Sequence, residues 1–206
     1  MKNPHIEVVS DVICPWCYIG KRRLEKALAL LEDELRPEIR WLPFQLNPDM
    51  PRAGLPRAEY RKRKFGSLER GRALDARVAA EGAGEGIAFA FERIERTPNT
   101  FLAHQLIELA QKQGAGNCVV DALFRAYFEE AKDIGEEAVL AAIAERCNVE
   151  HWPAAADENA VASLESGMRD LGISAVPTFI FERKLGVSGA HPPEALAQAI
   201  RQSLTL

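Results

Sequence analysis

The order of apolar and polar residues predicts a strand–helix–strand unit at the start of the chain. Residues 6–9 form a short β-rich run typical of a strand, and from Pro15 to Leu35 apolar residues recur at helical spacing. Residues 39–46 alternate between apolar and polar and predict a second strand, in which Pro43 suggests an edge or an irregularity. A unit of this length implies parallel strands joined by a right-handed crossover.

The middle of the chain predicts helices and no convincing strand. A loop rich in proline and glycine begins at Asn47, and residues 49–155 form the segment that we interpret as an all-helical domain. Gly82, Gly84 and Gly86 predict a flexible connector, which follows a helix and lacks the context of a phosphate-binding loop. The predicted helices of this segment span 58–65, 68–81, 99–113, 117–130 and 136–147.

Strands return near the end of the chain. A helix over 157–171 is followed by the apolar run TFIF after Pro177, a turn, a hairpin partner over 185–188 and a last helix that begins at the Pro192–Pro193 pair. The end segments, 1–48 and 156–206, can complete one mixed sheet. The prediction is an α/β thioredoxin fold, with the helical domain inserted between an N-terminal β-α-β part and a C-terminal α-β-β-α part.

The composition excludes several classes of protein. The 206 residues are 47% hydrophobic and 27% charged, which is typical of soluble globular proteins. A formal charge of −4 gives no reason to expect nucleic acid or an anionic membrane as a partner, and no apolar run is long enough to cross a bilayer. Because the first predicted strand follows directly after Pro4, there is no room for a secretory signal, and we expect a cytoplasmic protein.

The strongest chemical signal is a pair of cysteines between the first strand and the first helix, in the segment VVSDVICPWCYIGKRR at residues 8–23. Two cysteines at this spacing suit half of a zinc site, a buried structural pair or a redox dithiol. A strand that delivers Cys14 to the start of a helix places its sulfur where unpaired N–H groups stabilise negative charge. We therefore predict a redox dithiol in which Cys14 is the exposed, attacking sulfur.

Helical register separates the second cysteine from the first. Pro15 suits a first helical position, and Trp16 is expected to be a partly exposed apolar surface beside the sulfur. Cys17 begins the apolar stripe of the helix, so it is predicted to be sheltered and to resolve a mixed disulfide formed at Cys14. The other members of this stripe are Leu24, Leu28, Leu31 and Leu35.

Four segments together resemble the FrnE-like branch of the DsbA family of thiol–disulfide oxidoreductases. They are SDVICPWCYIGKRRLEKAL, PNTFLAHQLIELA, LFRAYFEEAKDIG and GISAVPTFIFERKLGVSGA, and they occur in the family's order over nearly the whole chain. The resemblance implies a thioredoxin fold interrupted by a helical domain. It also implies a protein disulfide oxidoreductase or isomerase with no cofactor beyond its redox-active cysteines.

The resemblance adds candidate substrate-binding residues to the dithiol. Pro177 matches the position at which thioredoxin-fold proteins place a cis-proline opposite the dithiol, with the backbone of Val176 exposed to a substrate chain or to glutathione. The family pattern also places Asn99 and His104 beside the dithiol. For His104, a solvated or interdomain histidine without a chemical role is an equally good interpretation.

Three functions remain open at this stage. The first is a cytoplasmic oxidoreductase that acts on a disulfide-containing protein or a low-molecular-weight thiol, with glutathione as a candidate co-substrate. The second is a glutathione-dependent isomerase or transferase of the kappa-class or hydroxychromene-carboxylate isomerase type, although those usually have serine in place of Cys14. The third is a redox-responsive or non-catalytic binding module, whose function would survive replacement of both cysteines.

The remaining candidate side chains are assigned no chemistry. Cys118 and Cys147 fall near apolar positions of their helices, and we interpret them as core cysteines rather than as a second redox pair. No second cysteine or histidine pair has the spacing of metal ligands, so no metal site is expected. The basic run from Lys21 to Arg23 is interpreted as a solvated helix face.

Overall fold

Two units, each with its own core, make up the computed structural model, which describes residues 3–206. The thioredoxin-like unit consists of the chain up to Phe44 together with Asn159–Leu206, and the helical unit is Gln45–Glu158. Within residues 3–206, no helix is both long and apolar enough to cross a membrane.

The thioredoxin-like unit is built on a four-stranded mixed sheet. Strand β1 (His5–Ser10) leads into helix α1 (Pro15–Ala29), which returns to strand β2 (Glu38–Pro43), parallel to β1 as predicted. The spatial order of the strands is β2-β1-β5-β6, where β5 (Thr178–Phe181) and β6 (Leu185–Ser188) form an antiparallel hairpin. Pro43 thus lies on an edge strand, and the predicted α/β class is confirmed.

Helices complete this unit. Helix α7 (Glu158–Asp170) precedes the hairpin, and helix α8 (Pro193–Ser203) follows it and packs against α1. Helix α1 ends at Ala29, six residues before the predicted end. The acidic run Glu32–Asp33–Glu34 explains this difference, because negative charge is unfavourable at the C-terminal end of a helix. Leu31 and Leu35 are nevertheless buried, in the turns that follow the helix.

The helical unit consists mainly of five helices and connecting loops. The helix bounds are α2 Arg57–Phe65, α3 Leu68–Gly84, α4 Phe101–Lys112, α5 Gly116–Phe128 and α6 Glu137–Arg146. Helices α2 and α3 form a pair linked by Asp75, which contacts the guanidinium groups of Arg57 at 3.2 Å and Arg61 at 2.7 Å. Helices α4 and α5 also pack together, and α6 contacts both of them.

Two details of the helical unit differ from the prediction. Strands β3 (Leu55–Pro56) and β4 (Arg96–Thr97) form a small antiparallel sheet, which is too short to produce a sequence pattern. The predicted glycine connector is partly helical, since α3 continues through Gly82 to Gly84. A Cβ atom at Gly82 would lie 2.3 Å from the ring of Phe89, so this glycine allows the ring to pack on the helix.

Candidate active site

The two cysteines of the CPWC segment form the first turn of α1. Cys14 is the N-cap, with extended backbone angles, and its N–H donates to the carbonyl oxygen of Asp11 at 3.0 Å. Pro15 occupies the first helical position, and the N–H of Cys17 donates to the carbonyl oxygen of Cys14 at 3.0 Å. Both cysteines are free thiols, so the structure represents the reduced dithiol.

The prediction that Cys14 is exposed is wrong. Cys14 is 5% exposed and Cys17 is 1% exposed, whereas Trp16 between them is 40% exposed, in agreement with its expected surface position. A turn from a distant part of the chain covers the first sulfur, because the Cys14 thiol donates to the carbonyl oxygen of Val176 with an Sγ–O distance of 3.7 Å. The local pattern could not reveal this contact between residues 162 positions apart.

Burial raises the pKa of the second cysteine, Cys17. Loss of hydration is the largest cause that holds the pKa of Cys17 well above its ordinary value, and the neighbouring Cys14 raises it further. The backbone of Asp11 and the side chain of Ser10 act in the opposite direction, but they do not outweigh burial. Cys17 is therefore a neutral thiol at neutral pH, directly behind Cys14.

The turn opposite the dithiol contains the cis peptide bond that the resemblance implied at Val176–Pro177. The Pro177 carbonyl oxygen accepts from the N–H of Gly189 at 2.7 Å, and the Thr178 hydroxyl donates to the carbonyl oxygen of Ala175 at 2.8 Å. Val176 is half-buried and Pro177 is buried. These hydrogen bonds hold the backbone of Val176 next to the Cys14 sulfur.

Gly20 is a site residue that the sequence reasoning missed. A Cβ atom at this position of α1 would lie 2.9 Å from Cγ of Pro177 and 3.2 Å from the ring of Phe179. The absence of a side chain thus allows α1 to approach the turn that contacts Cys14. A glycine inside a helix costs about 1 kcal/mol relative to alanine, which is a sequence signal of such a close approach.

The basic residues after the dithiol are not a solvated face, which corrects the sequence interpretation. Lys21 is buried and pairs with Glu25, whereas the Arg22 guanidinium lies 5.1 Å from the centre of the Tyr18 ring. The Arg23 guanidinium donates to the carbonyl oxygen of Ala190 at 2.6 Å, which ties α1 to the loop after β6. These side chains therefore hold the dithiol helix in place.

The structure places Asn99 and His104 in the helical unit. The Asn99 carboxamide accepts from the N–H of Phe101 at 2.9 Å and donates to the carbonyl oxygen of Met50 at 2.7 Å. Asn99 also lines a cavity of about 930 Å³ within this unit, together with Arg52 and other polar residues. His104 is 4% exposed in α4 and is not among the residues that line this cavity.

Cys118 and Cys147 are joined by a disulfide bond in the helical unit and Cys118 is exposed, so their interpretation as core cysteines rather than as a pair is wrong. Their helices bring the two Cα atoms to 5.8 Å, although the residues are 29 positions apart in the chain. Residue spacing alone does not reveal such a pair. For metal binding, no group of three or more His, Cys, Asp or Glu side chains converges within residues 3–206.

Comparisons with known proteins agree over nearly the full length of the chain. A family model described as a DSBA-like thioredoxin domain matches residues 5–201. The uncharacterized protein YwbO of Bacillus subtilis (strain 168) is 25% identical over 203 residues, which cover 95% of each chain.

Solved structures share the fold. The probable DsbA oxidoreductase SCO1869 from Streptomyces coelicolor superposes with a TM-score of 0.88 and 31% identity, over 98% of this chain and 91% of that one. The cytosolic disulfide reductase DsbM from Pseudomonas aeruginosa, solved with GSH, superposes with a TM-score of 0.64 and 17% identity, over 98% and 100% of the two chains. The similarity thus extends well beyond the cysteine motif.

Proposed function

Because this chain belongs to the family of DSBA-like thioredoxin domains, we propose that it is a thiol–disulfide oxidoreductase whose CPWC dithiol exchanges electrons with a disulfide substrate. The observation that carries the proposal is the arrangement of the two sulfurs. Cys14 caps α1 next to the Val176 carbonyl group, while burial keeps Cys17 protonated behind it. Within the family, we place the chain in the FrnE-like branch, on the four segments named above.

The proposed reaction passes two electrons from the dithiol to the substrate. The Cys14 thiolate attacks one sulfur of the substrate disulfide, and the other substrate sulfur leaves as a thiolate and takes up a proton. Cys17 then loses its proton and attacks the Cys14 sulfur, which releases the second substrate thiol and leaves a Cys14–Cys17 disulfide. The reverse sequence oxidises a substrate dithiol. The redox potential of the cellular thiols therefore sets the direction in which electrons flow.

The Val176 backbone is the proposed docking point for the substrate main chain. In the reduced protein its carbonyl oxygen accepts from the Cys14 thiol. Once Cys14 has lost its proton, this acceptor becomes available to a substrate N–H group, as in strand addition. Pro177 shapes the turn, and Trp16, which is 40% exposed, offers an apolar surface beside the sulfur.

Glutathione is the proposed low-molecular-weight source of electrons, and the cytoplasm is the proposed site of the reaction. The support for both is DsbM, a cytosolic disulfide reductase of similar fold that was solved with GSH. The dithiol requires no other cofactor in this scheme.

Insulin reduction tests the oxidoreductase. We expect wild-type protein to reduce insulin disulfides in the presence of glutathione and Cys14→Ser to show only the background rate, because a serine hydroxyl group does not replace a thiolate nucleophile. When reduced Cys17→Ser is mixed with insulin in the absence of glutathione, it should accumulate a mixed disulfide on Cys14, which mass spectrometry identifies, since no second thiol resolves it. Full activity of Cys14→Ser would contradict the proposal.

The same variants distinguish the glutathione-dependent isomerase or transferase. Calorimetry measures glutathione binding, and a conjugation assay measures transfer to an electrophile. Binding and transfer that survive Cys14→Ser, together with no insulin reduction by wild type, would favour that enzyme class. A non-catalytic binding module would show neither reaction, and replacement of both cysteines would leave its function intact.

Asn99 and His104 are also proposed to bind the substrate, and a separate variant of each residue tests this role. Asn99→Ala removes the side-chain hydrogen bonds with Gln45, Met50 and Phe101, so a structural role predicts a loss of stability with an unchanged KM. A substrate role predicts a higher KM for insulin with an unchanged Tm. The same comparison applied to His104→Gln separates a chemical role from a core histidine.

A further inference from the structure

The Cys118–Cys147 disulfide is asymmetric in its access to solvent. Cys118 is exposed, whereas Cys147 is only 6% exposed. An external thiol must approach along the axis of the bond that it breaks, and Cys118 is the residue of the pair that lies at the surface. The disulfide therefore joins one exposed residue to one buried residue.

The helix termini add a second asymmetry in the same direction. Cys118 is the third residue of α5, whose first turn has no side-chain cap and no acidic residue. Cys147 is the C-cap of α6, and its N–H donates to the carbonyl oxygen of Ile143. The positive end of a helix dipole favours a thiolate, whereas the negative end and burial both disfavour it.

A nearby non-covalent contact holds the same end of the helical unit. The Gln113 side chain donates to the carbonyl oxygen of Glu150 at 3.1 Å and accepts from the N–H of Glu150 at 2.8 Å. This pair of hydrogen bonds joins the end of α4 to the segment three residues after Cys147. The contact does not depend on the disulfide, so the two cysteines can remain neighbours when the bond is open.

We propose that Cys118 and Cys147 form a second thiol–disulfide exchange site, in which Cys118 is the sulfur that exchanges with low-molecular-weight thiols and disulfides. Cys147 is the resolving sulfur. The site lies in the helical unit and uses no residue of the CPWC dithiol. Its chemistry is therefore separate from the function proposed above.

In the proposed exchange, glutathione disulfide is the oxidant and glutathione is the product. The reduced Cys118 thiolate attacks glutathione disulfide, forms a mixed disulfide and releases one glutathione thiolate. Cys147 loses its proton and attacks the Cys118 sulfur, which releases the second glutathione and forms the internal bond. In total, two protein thiols are oxidised and one glutathione disulfide is reduced to two glutathione molecules, and Cys118 contacts glutathione in both directions.

Glutathione disulfide is the probe for the test. The full-length Cys14→Ser/Cys17→Ser protein contains only this pair of cysteines, so its result does not depend on the CPWC dithiol. After reduction and removal of the reductant, a matched pair of further variants, Cys147→Ser and Cys118→Ser, is exposed to glutathione disulfide and analysed by mass spectrometry. We expect Cys118 in the first variant to acquire glutathione at least about tenfold faster than Cys147 in the second.

Two further measurements exclude an effect of misfolding. In guanidinium chloride both variants should react at similar rates, because the folded environment is gone. In the reduced parent protein, which retains both cysteines, iodoacetamide should label Cys118 at least about tenfold faster than Cys147. Equal labelling of the two cysteines in the folded parent protein, faster reaction of Cys147, or no glutathione adduct on Cys118 would each overturn the proposal.

Discussion

At the residue scale, the two sulfurs of the dithiol differ more in position than in exposure. Both are largely buried, yet Cys14 caps the helix and touches the Val176 carbonyl group, whereas Cys17 lies in the core with a raised pKa. A neutral resolving thiol does not compete with Cys14 for the substrate at neutral pH. It becomes reactive when the mixed disulfide has formed beside it and it can give up its proton.

The raised pKa of Cys17 predicts an alkaline loss of stability in the reduced protein. As the pH rises above the ordinary cysteine pKa of 9.0, the unfolded chain releases a proton that the folded chain retains at Cys17. The free energy of unfolding should therefore fall by up to about 1.4 kcal/mol per pH unit until Cys17 ionises in the folded state. Below that value this group adds no pH dependence.

Urea denaturation under reducing conditions measures this effect. Reduced Cys17→Ser is the control, since it lacks the titrating thiol and retains Cys14. We expect its stability to fall less steeply above the ordinary cysteine pKa than that of the reduced wild type. Parallel curves for the two proteins would show that Cys17 titrates normally in the folded state.

Substitution of Gly20 tests how closely helix α1 packs against the turn at Val176–Pro177. A methyl group at Gly20 would overlap the ring of Pro177, so Gly20→Ala should destabilise the protein by about 1–3 kcal/mol and lower kcat/KM for insulin. The control is Gly167→Ala in α7, where a Cβ atom has open space and should raise stability by up to about 1 kcal/mol. The measurements are chemical denaturation and the insulin assay. A neutral or stabilising Gly20→Ala would contradict the close packing.

At the element scale, both cysteine pairs lie at the ends of helices. The CPWC pair occupies the first turn of α1, and the second pair joins the first turn of α5 to the end of α6. In each pair, one cysteine lies at the start of a helix. The second pair is in addition a covalent link between two helices, which restricts the unfolded chain.

The Cys118–Cys147 disulfide predicts a difference in the free energy of unfolding between the protein with this bond and the protein without it. Residues 118 and 147 are 29 positions apart, and closing a loop of this length stabilises a folded protein by about 3–4 kcal/mol. We expect Cys118→Ser/Cys147→Ser to lose this amount relative to the oxidised parent, because its unfolded chain is no longer restricted. Denaturation in the Cys14→Ser/Cys17→Ser background isolates the effect from the dithiol. A loss below about 1 kcal/mol would mean that the open form retains compensating structure.

At the scale of the whole molecule, each of the two units contains one cysteine pair. The thioredoxin-like unit holds the reduced dithiol, and the helical unit, Gln45–Glu158, holds the disulfide. The first pair is proposed to react with substrates, and the second to respond to the thiol pool. Activity and stability are therefore expected to depend on different cysteines.

A comparison of two variants tests this separation. Cys14→Ser should lose insulin reduction and retain the Tm of the reduced wild type within a few degrees, because a single atom changes in a preserved core. Cys118→Ser/Cys147→Ser should retain kcat/KM at 25 °C within about twofold while its Tm falls, by roughly 2–4 °C per kcal/mol lost. A large loss of activity in the second variant would show that the helical unit must be cross-linked for catalysis.

Local patterns were sufficient to predict much of the fold and part of the site. The parallel β1–α1–β2 unit, the hairpin after Pro177 and the final helix follow from periodicity and from prolines and glycines at element ends. The resemblance to a known family added the cis bond at Val176–Pro177. The two-stranded sheet of the helical unit was missed because two-residue strands contain too few positions to establish a period.

The sequence by itself determined that Cys14 begins a helix and that Cys17 faces the core, because helix start signals and apolar spacing act between neighbouring residues. The tertiary structure decided that Val176 covers Cys14, that Pro177 packs on Gly20 and that Cys118 meets Cys147. Each of these contacts joins residues far apart in the chain. Their geometry depends on how whole elements pack, which no local pattern specifies.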